Sequence, residues 1–197
     1  MVAVFDFDDT LIRRDTMKDF LLQTFGVQRF FWNCFTFLPS YISFKSGRIS
    51  RSESKQRLLG KFFKGMKTEL LDTQCLQYAD RLNELANPDG LERLAWHIQR
   101  GDAVVIESAS LENWILPWAT QHGVATVLAT RLMVEDGVFT GTFFGENCFG
   151  PEKAIRLLGK FPDRESYELF AYGDGHSDKD LFAIADRVFA STFAEAD

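Results

Sequence analysis

The segment from residue 16 to about residue 86 has apolar residues at helical spacing and lacks strand patterns. It follows one short apolar run, VAVFDF at residues 2–7, which is typical of a fully buried strand. After it, helix and strand patterns alternate. This order predicts an α/β fold, in which a parallel sheet is interrupted after its first strand by an inserted helical bundle. We therefore predict a core domain of residues 1–15 and 87–197 and a helical domain of residues 16–86.

Local sequence signals give the limits of the predicted elements. The SRSE segment at 50–53 is a capping box before a helix, and Asn87 suits the N-cap of a helix that begins at Pro88 and stops at Gly101. Later strands are predicted at 103–107, 125–129, 169–174 and 187–190. Later helices are predicted at 112–122, 151–160 and 178–185. A hairpin is predicted within 132–143, with its turn at Asp136-Gly137.

The charge and cysteine content narrow the class of protein. The chain has 197 residues and a net charge of −6, which disfavours nucleic acid as a partner. Three widely spaced cysteines suggest neither a disulfide framework nor a zinc site, so a cytoplasmic protein is expected; they are Cys34, Cys75 and Cys148. A leader peptide is not expected, because Asp6 interrupts the first apolar run. No oligomeric state follows from the sequence.

Residues 20–44 form an aromatic-rich stretch with a single formal charge, Arg29, and residues 45–67 then carry eight Lys or Arg against one acid. The apolar stretch is long enough to span a bilayer, but polar residues and Pro39 interrupt it. We favour burial of the stretch as the core of the helical bundle, with the basic stretch as a solvated face. The alternative is that the aromatic face makes a weak contact with anionic lipid.

Polar residues stand at the carboxyl ends of the predicted strands, where open α/β sheets bind ligands. Asp6 and Asp8 end the first strand, and their spacing predicts that both carboxylates point to the same side and repel each other. A hard divalent cation such as Mg²⁺ would relieve this repulsion. The other polar residues at such ends or in neighbouring loops are Ser108, Lys153, Asp174 and Asp178.

Lys153 falls in the first turn of its predicted helix, where the helix dipole disfavours a cation. A carboxylate or phosphate partner would offset this unfavourable position. The simpler interpretation is that Lys153 is a surface lysine, that Ser108 is a turn residue and that Asp178 belongs to a helix start. That interpretation does not account for Asp6 and Asp8, which interrupt apolar sequence.

Four segments, in order, resemble the motifs of haloacid dehalogenase (HAD) superfamily phosphatases. DFDDT at 6–10 resembles the first motif, VVIESAS at 104–110 the second, Lys153 the third, and YGDGHSD at 172–178 the fourth. The helical insert resembles the C1 cap of the phosphoserine-phosphatase-like subfamily (IB). The resemblance implies a Rossmann-like core domain and a cap domain that covers its strand ends.

The resemblance also implies a chemical mechanism. Asp6 would attack phosphorus and form an aspartyl-phosphate. Asp8 would protonate the leaving alcohol and later deprotonate the water that hydrolyses the intermediate. Asp6, the backbone carbonyl of Asp8, and Asp174 would hold Mg²⁺, with Asp178 as a further ligand or a support for one. The implied phosphate-binding residues are Thr10, Ser108, Ala109 and Lys153.

The expected substrate is a small phosphorylated metabolite, hydrolysed as a phosphomonoester. Phosphoserine itself is not expected, because Asp9 replaces the serine of the DFDST motif, Asp15 stands near the position of a glutamate, and Ser108-Ala109-Ser110 replaces Ser-Gly-Gly. A fainter resemblance, to bacterial phosphatidylglycerophosphate phosphatases, implies a lipid phosphate at the membrane surface. A phosphomutase and a non-catalytic binding module are the remaining alternatives. His176 is more typical of an exposed loop residue than of a group that contacts the leaving alcohol.

Overall fold

The computed structural model describes residues 1–175 and 177–193. Its strands are β1 (Val2–Asp6), β2 (Ala103–Leu111), β3 (Thr126–Thr130), β4 (Leu132–Glu135), β5 (Val138–Phe143), β6 (Leu169–Gly173) and β7 (Arg187–Ala190). Its α-helices are α1 (Thr16–Lys45), α2 (Arg51–Phe63), α3 (Thr68–Leu85), α4 (Pro88–Arg100), α5 (Glu112–Gln121), α6 (Pro151–Lys160) and α7 (Lys179–Ile184). The order of elements is the one that the sequence predicts.

β1 lies at the centre of a five-stranded parallel sheet with the strand order β3-β2-β1-β6-β7. On one face, Val4 packs in a cluster with Leu157 of α6 and Leu181 of α7. On the other face, Phe5 belongs to the larger core that includes Trp114 of α5. Because both faces are covered, the strand is apolar from Val2 to Phe5 and becomes polar only at its last residue, Asp6. The predicted α/β fold is confirmed.

Helices α1, α2 and α3 occupy the long segment between β1 and β2. The side-chain amide of Asn33 donates to the carbonyl of Lys61 at 3.3 Å and so joins α1 to α2. The ring of Phe20 stacks on Trp114 of α5, with the ring centroids 4.7 Å apart. The predicted capping box is present, since the Ser50 hydroxyl accepts from the backbone N–H of Glu53 at 3.0 Å.

Helix α1 is broken at Gly26, whose φ of 76° and ψ of 162° are not helical. A residue with a side chain would be strained at this φ, whereas glycine adopts it readily. The break divides α1 into a short part that begins beside the end of β1 and a longer part that ends at Lys45.

The predicted hairpin is formed by β4 and β5, and its turn residues Asp136 and Gly137 have φ values of 49° and 74°. Two positive φ values in a two-residue loop are typical of a type I′ turn. The hairpin packs on the loop that follows α2, where the Gly65 N–H donates to the Phe139 carbonyl at 2.9 Å. The hairpin therefore joins the core sheet region to the segment of α1–α3.

Gly60 of α2 is a point of close approach to this hairpin, because a Cβ at Gly60 would lie 2.9 Å from the carbonyl oxygen of Gly141. We expect Gly60→Ala to lower the free energy of unfolding by roughly 1–3 kcal/mol, since the backbone of β5 would have to move. The matched control is Gly159→Ala in α6, where a Cβ would meet nothing within 4 Å. Urea unfolding measured on both variants checks this; equal effects would contradict the close contact.

The expectation that the apolar side chains of 20–44 are mostly buried is wrong for the longer part of α1. That part is apolar on more than one side, and only the side that faces α2 and the core is covered. The exposed side chains, with their exposed fractions, are Val27 61%, Phe31 64%, Trp32 66%, Phe35 67%, Leu38 49% and Ile42 59%. Across the described residues, no helix has both the length and the apolarity that crossing a membrane requires.

Two local predictions at the strand and helix ends need correction. Strand β2 continues past the predicted end at 107 to Leu111, with a shift of its register against β3 between Ser108 and Leu111. Asn87 stands at the N-cap position of α4, but its side-chain amide donates to the Thr10 carbonyl at 3.2 Å and does not cap the helix. The Asn87 side chain therefore connects the start of α4 to the loop after β1 by a hydrogen bond.

Candidate active site

A cavity of about 380 Å³ opens at the carboxyl ends of β1, β2 and β6. Its size is in the range of small-molecule sites in proteins. The predicted site residues that line it are Asp6, Asp8, Ser108, Ala109 and Asp174. Helices α1 and α2 form the opposite wall, with Met17, Phe37, Tyr41, Phe44, Arg51, Ser54, Lys55 and Leu58. The site therefore combines a polar floor from the sheet with a largely apolar wall from the helices.

Lys153 lies behind this floor, fully buried, and joins two of the predicted acids. Its ammonium donates to Asp6 Oδ1 and to Asp178 Oδ1, each at 2.5 Å. Because Pro151 starts α6, Lys153 falls in the first turn of the helix, and the two carboxylates account for a cation at this unfavourable place. The predicted carboxylate partner of Lys153 is thus present, and the interpretation of Lys153 as a surface lysine is wrong.

The Asp6–Lys153–Asp178 cluster has a distinctive electrostatic balance. Burial raises the pKa of Asp6 to about 7, although the charge of Lys153 opposes this rise. Burial alone would lower the pKa of Lys153, but Asp6 and Asp178 outweigh it and hold that pKa above its usual range. Lys153 therefore stays charged and forms ion pairs with both buried carboxylates.

Asp8 follows the end of β1 and is held by three donors. Its Oδ1 accepts from the backbone N–H of Thr16 at 2.6 Å, at the start of α1. Its Oδ2 accepts from the hydroxyls of Ser108 at 3.1 Å and Ser110 at 2.6 Å. These bonds fix the carboxylate at the cavity wall beside Asp6.

Ser110 and Lys55 are cavity residues to which the sequence analysis assigned no role in the site. Ser110 carries a signal in the sequence, because it is the second serine of the SAS segment. The sequence offers no signal for Lys55 beyond its position in the basic stretch. In the structure, its ammonium donates to the Ala109 carbonyl at 2.7 Å. Burial lowers the pKa of Lys55 to about 8, although the charges of Asp8 and Asp15 oppose this shift.

The loop after β1 carries the remaining residues of the first motif. The Thr10 hydroxyl is buried and donates to Asp6 Oδ2 at 3.4 Å, so it lies behind the cavity and supports Asp6. Asp9 has a φ of 56°, an uncommon value for a residue other than glycine. Asp15 accepts from the Lys18 N–H at 3.0 Å and so caps α1, while its side chain also lines the cavity.

Glu107 of β2 is paired with Asp6 across the sheet and is completely buried. Both of its carboxyl oxygens are without a hydrogen-bond partner among the described residues. Burial raises the pKa of Glu107 to about 8; the charge of Lys153 opposes this rise, whereas Asp178 and Asp6 add to it. The raised pKa favours the protonated form of Glu107, which reduces the negative charge beneath the site.

The acids at this end of the sheet have the chemistry that Mg²⁺ prefers, namely several carboxylate oxygens at one place. Asp6, Asp8, Asp9 and Asp174 line the cavity together, and Lys153 is already engaged by Asp6 and Asp178. Among the described residues, no three acid, histidine or cysteine side chains converge closely enough to hold a metal by themselves. A cation here would therefore also use backbone, phosphate or water oxygens. His176 lies outside the described residues.

A parallel sheet with acids at two strand ends, a buried lysine between them and a helical insert define an α/β protein with a polar site at the carboxyl ends of its strands. The chain belongs to the haloacid dehalogenase-like hydrolase family, whose model matches residues 3–183. The predicted membership of this superfamily is thereby confirmed.

Two proteins illustrate the similarity in sequence. The protein CicA of Caulobacter vibrioides is 30% identical over 189 residues, which cover 94% of this chain and 83% of CicA. A probable phosphatase of Mycobacterium tuberculosis is 34% identical over 104 residues, which cover 50% of this chain and 35% of that protein.

Solved structures share the fold. A protein of unknown function from Bordetella pertussis Tohama I superposes with a TM-score of 0.82 at 20% sequence identity. The match covers 96% of this chain and 88% of the Bordetella chain. Phosphoserine phosphatase with an analogue of its phospho-aspartyl intermediate superposes with a TM-score of 0.66 at 21% sequence identity. The match covers 96% of this chain and 85% of the phosphoserine phosphatase chain. The chain is thus a HAD-family hydrolase with phosphatase-like neighbours.

Proposed function

We propose that the protein is a Mg²⁺-dependent phosphoric monoester hydrolase that works through an aspartyl-phosphate. The observation that carries this proposal is the placement of Asp6 and Asp8 on one cavity, with Asp6 held by Lys153 and Asp8 held by two serine hydroxyls. One carboxylate is thus paired with a cation, and the other is fixed by neutral donors. Two acids in such different surroundings suit two different roles.

In the proposed first step, an oxygen of Asp6 forms a bond to phosphorus while the bond from phosphorus to the alcohol oxygen breaks. Asp8, in its protonated form, gives its proton to that departing oxygen. In the second step, Asp8 takes a proton from water, the water oxygen attacks phosphorus, and the bond to Asp6 breaks to release inorganic phosphate. Ser108 and the backbone of Ala109 are proposed to bind the phosphoryl oxygens at the cavity floor.

Asp6, the backbone carbonyl of Asp8, and Asp174 are the proposed Mg²⁺ ligands, with Asp178 as a further ligand or a support. HAD phosphatases generally use Mg²⁺, which, when bound, offsets the negative charge of phosphate and acids. Lys153 is proposed to keep Asp6 ionised for attack, because the ammonium opposes the effect of burial on the pKa of Asp6. Thr10 holds the second oxygen of Asp6 and so orients it.

Residues 16–86 are proposed to be the C1 cap of the phosphoserine-phosphatase-like subfamily, over a core of residues 1–15 and 87–197. Such a cap would exclude stray water during hydrolysis of the intermediate. Cytoplasmic placement also remains a proposal. Two types of alcohol are candidates for the leaving group: a small metabolite and a lipid. The exposed aromatic side of α1 is the observation that favours the lipid.

The purified protein is expected to release inorganic phosphate from p-nitrophenyl phosphate when Mg²⁺ is present and to lose this activity in EDTA. The physical reason is that the acids lining the cavity outnumber its cations and would repel a phosphate without a bound metal. Re-addition of Mg²⁺ is the control for damage by the chelator. Undiminished turnover after exhaustive chelation contradicts the metal assignment, and phosphate release without any acceptor alcohol separates a phosphatase from a phosphomutase.

A further inference from the structure

The longer part of α1 presents an apolar surface that no described residue covers. This α1 outer face consists of Val27, Phe31, Trp32, Phe35, Leu38 and Ile42, each between 49% and 67% exposed. The spacing of most of these residues is three or four, so they form one stripe along the helix, with Trp32 at its edge. Exposed apolar side chains that are contiguous, and not scattered, mark an interaction site.

The charges around the α1 outer face restrict the kind of partner. The sequence from residue 20 to residue 52 holds no acid, and the acids that flank it are Asp19 and Glu53. The same stretch carries four exposed cations: Arg29, Lys45, Arg48 and Arg51. A twofold contact with a second copy of this chain would bring no acid of this stretch to pair with the four cations. The charges therefore favour a partner that supplies negative charge itself.

Aromatic and cationic side chains on one helix face are typical of helices that lie in the surface of an anionic membrane. The ammonium of Lys45 lies 5.6 Å from the ring centroid of Tyr41 and 5.9 Å from that of Phe44. A cation held on aromatic rings at the end of the stripe is placed to meet a lipid phosphate while the stripe enters the acyl region.

The α1 outer face is also continuous with the cavity. Phe37, Tyr41 and Phe44 line the cavity from the adjoining side of the same helix, at spacings of four and three. Tyr41 belongs to both surfaces, because it lines the cavity and is 42% exposed. Apolar side chains therefore lead without interruption from the outer face to the wall opposite Asp6 and Asp8.

We propose that the α1 outer face docks on a bilayer that contains anionic lipid, and that the cavity takes a lipid phosphomonoester from this surface. The choice of substrate class rests on the proposed phosphatase function, whereas the docking does not. The phosphate of the lipid enters the polar floor, and the apolar part of the molecule lies along Phe37, Tyr41 and Phe44.

The docking is tested by co-sedimentation with vesicles of phosphatidylcholine, with and without phosphatidylglycerol. We expect binding to the mixed vesicles in about 0.05 M NaCl and a clear loss of binding in about 0.5 M NaCl, because salt screens the contribution of the cations. The emission of Trp32 is expected to shift to the blue on binding. The same titration of Trp32→Phe identifies that residue as the source: Trp114 and Trp118 are buried in the core, and the part-exposed Trp96 of α4, which the variant retains, should then give no shift.

Two triple variants separate the α1 outer face from exposed apolar surface in general. The variant Phe31→Ser, Trp32→Ser, Phe35→Ser is expected to lower the vesicle partition coefficient at least ~30-fold, since three large side chains no longer enter the membrane. The matched control is Leu70→Ser, Leu76→Ser, Ile155→Ser, whose side chains are 52%, 62% and 61% exposed elsewhere on the protein. It is expected to bind as the unchanged protein does. Circular dichroism confirms that both variants fold.

The substrate class is tested with phosphatidic acid in mixed vesicles, in parallel with soluble p-nitrophenyl phosphate. The outer-face variant is expected to turn over the soluble phosphate within about twofold of the unchanged protein. Its rate of phosphatidic acid hydrolysis on the vesicles is expected to fall at least ~10-fold, because less of the protein is bound to the membrane. Hydrolysis of the soluble phosphate together with no vesicle binding overturns the docking. Vesicle binding without hydrolysis of either phosphate overturns the proposed function and leaves the docking in place.

Two further outcomes also overturn the proposal. If the outer-face and control variants lose binding equally, the α1 outer face is not the contact. If sedimentation equilibrium without vesicles shows a dimer that the outer-face variant alone abolishes, and vesicles do not bind, then a second copy covers the face.

Discussion

Asp6→Asn is expected to lower the turnover of p-nitrophenyl phosphate by at least ~10⁴-fold, the size of effect seen when a covalent nucleophile is removed. An amide in this place lacks the charge that attacks phosphorus, while its shape is unchanged. Lys153 would still find an acceptor in Asp178, whose Oδ1 lies 2.5 Å from the ammonium. The variant should therefore fold, and the measurement is the turnover number with saturating Mg²⁺.

Asp8→Asn is the matched comparison, because it changes the neighbouring acid in the same way. Aryl phosphates have a good leaving group that needs little protonation, so this variant should still form the phospho-aspartate. It should hydrolyse the intermediate slowly, because the base for the attacking water is gone. Acid quench with radiolabelled substrate should then trap labelled protein from Asp8→Asn and none from Asp6→Asn. Wild-type turnover in Asp6→Asn would show that Asp6 is not the nucleophile.

Lys153→Met is expected to lower the free energy of unfolding by about 3–5 kcal/mol, because it leaves the buried Asp6 and Asp178 without their cation. Urea unfolding at pH 7 in EDTA measures this cost. The control is Lys160→Met, at the exposed end of the same helix, where little change is expected. Equal costs for the two variants would contradict a structural role of the buried ion pairs.

The pH dependence of Lys153→Met gives a second test. Lys153 lowers the pKa of Asp6 and so opposes the effect of burial; its removal should raise that pKa further above the unfolded value. An acid with a raised pKa destabilises the fold above its unfolded pKa, and the penalty is relieved as protons bind. The difference in stability between the variant and the unchanged protein should therefore grow as the pH rises above about 7, where Asp6 loses its proton in the unchanged protein but still holds it in the variant.

The sheet and the floor of the site were predictable because both depend on local sequence. A run such as VAVFDF, buried on both faces, predicts a central strand, and the carboxyl ends of parallel strands must meet. Asp6, Asp8, Ser108 and Asp174 therefore meet at one cavity as predicted. The roles assigned to these residues stay predictions.

The helical wall was less predictable, because a helix that is apolar on several sides does not reveal which side faces the core. Phe37 is buried and Phe35 is 67% exposed, yet the two lie in one aromatic stretch. Lys55 reaches the carbonyl of Ala109 across the cavity, and such a contact between residues 54 positions apart depends on tertiary packing. The extension of β2 to Leu111, which places Ser110 on Asp8, likewise depends on a shift in strand register.

The break at Gly26 separates two functions within one helix. The part before it positions Asp8 through the N–H of Thr16, whereas the part after it carries the exposed aromatic stripe. An unbroken helix would transmit any tilt of the stripe directly to Asp8, the proposed proton donor. A glycine joint absorbs such a tilt in two backbone dihedrals, so the outer segment can follow an uneven or fluctuating surface while the geometry at Asp8 stays constant. Evolution can therefore alter the outer segment for new surroundings without retuning the chemistry.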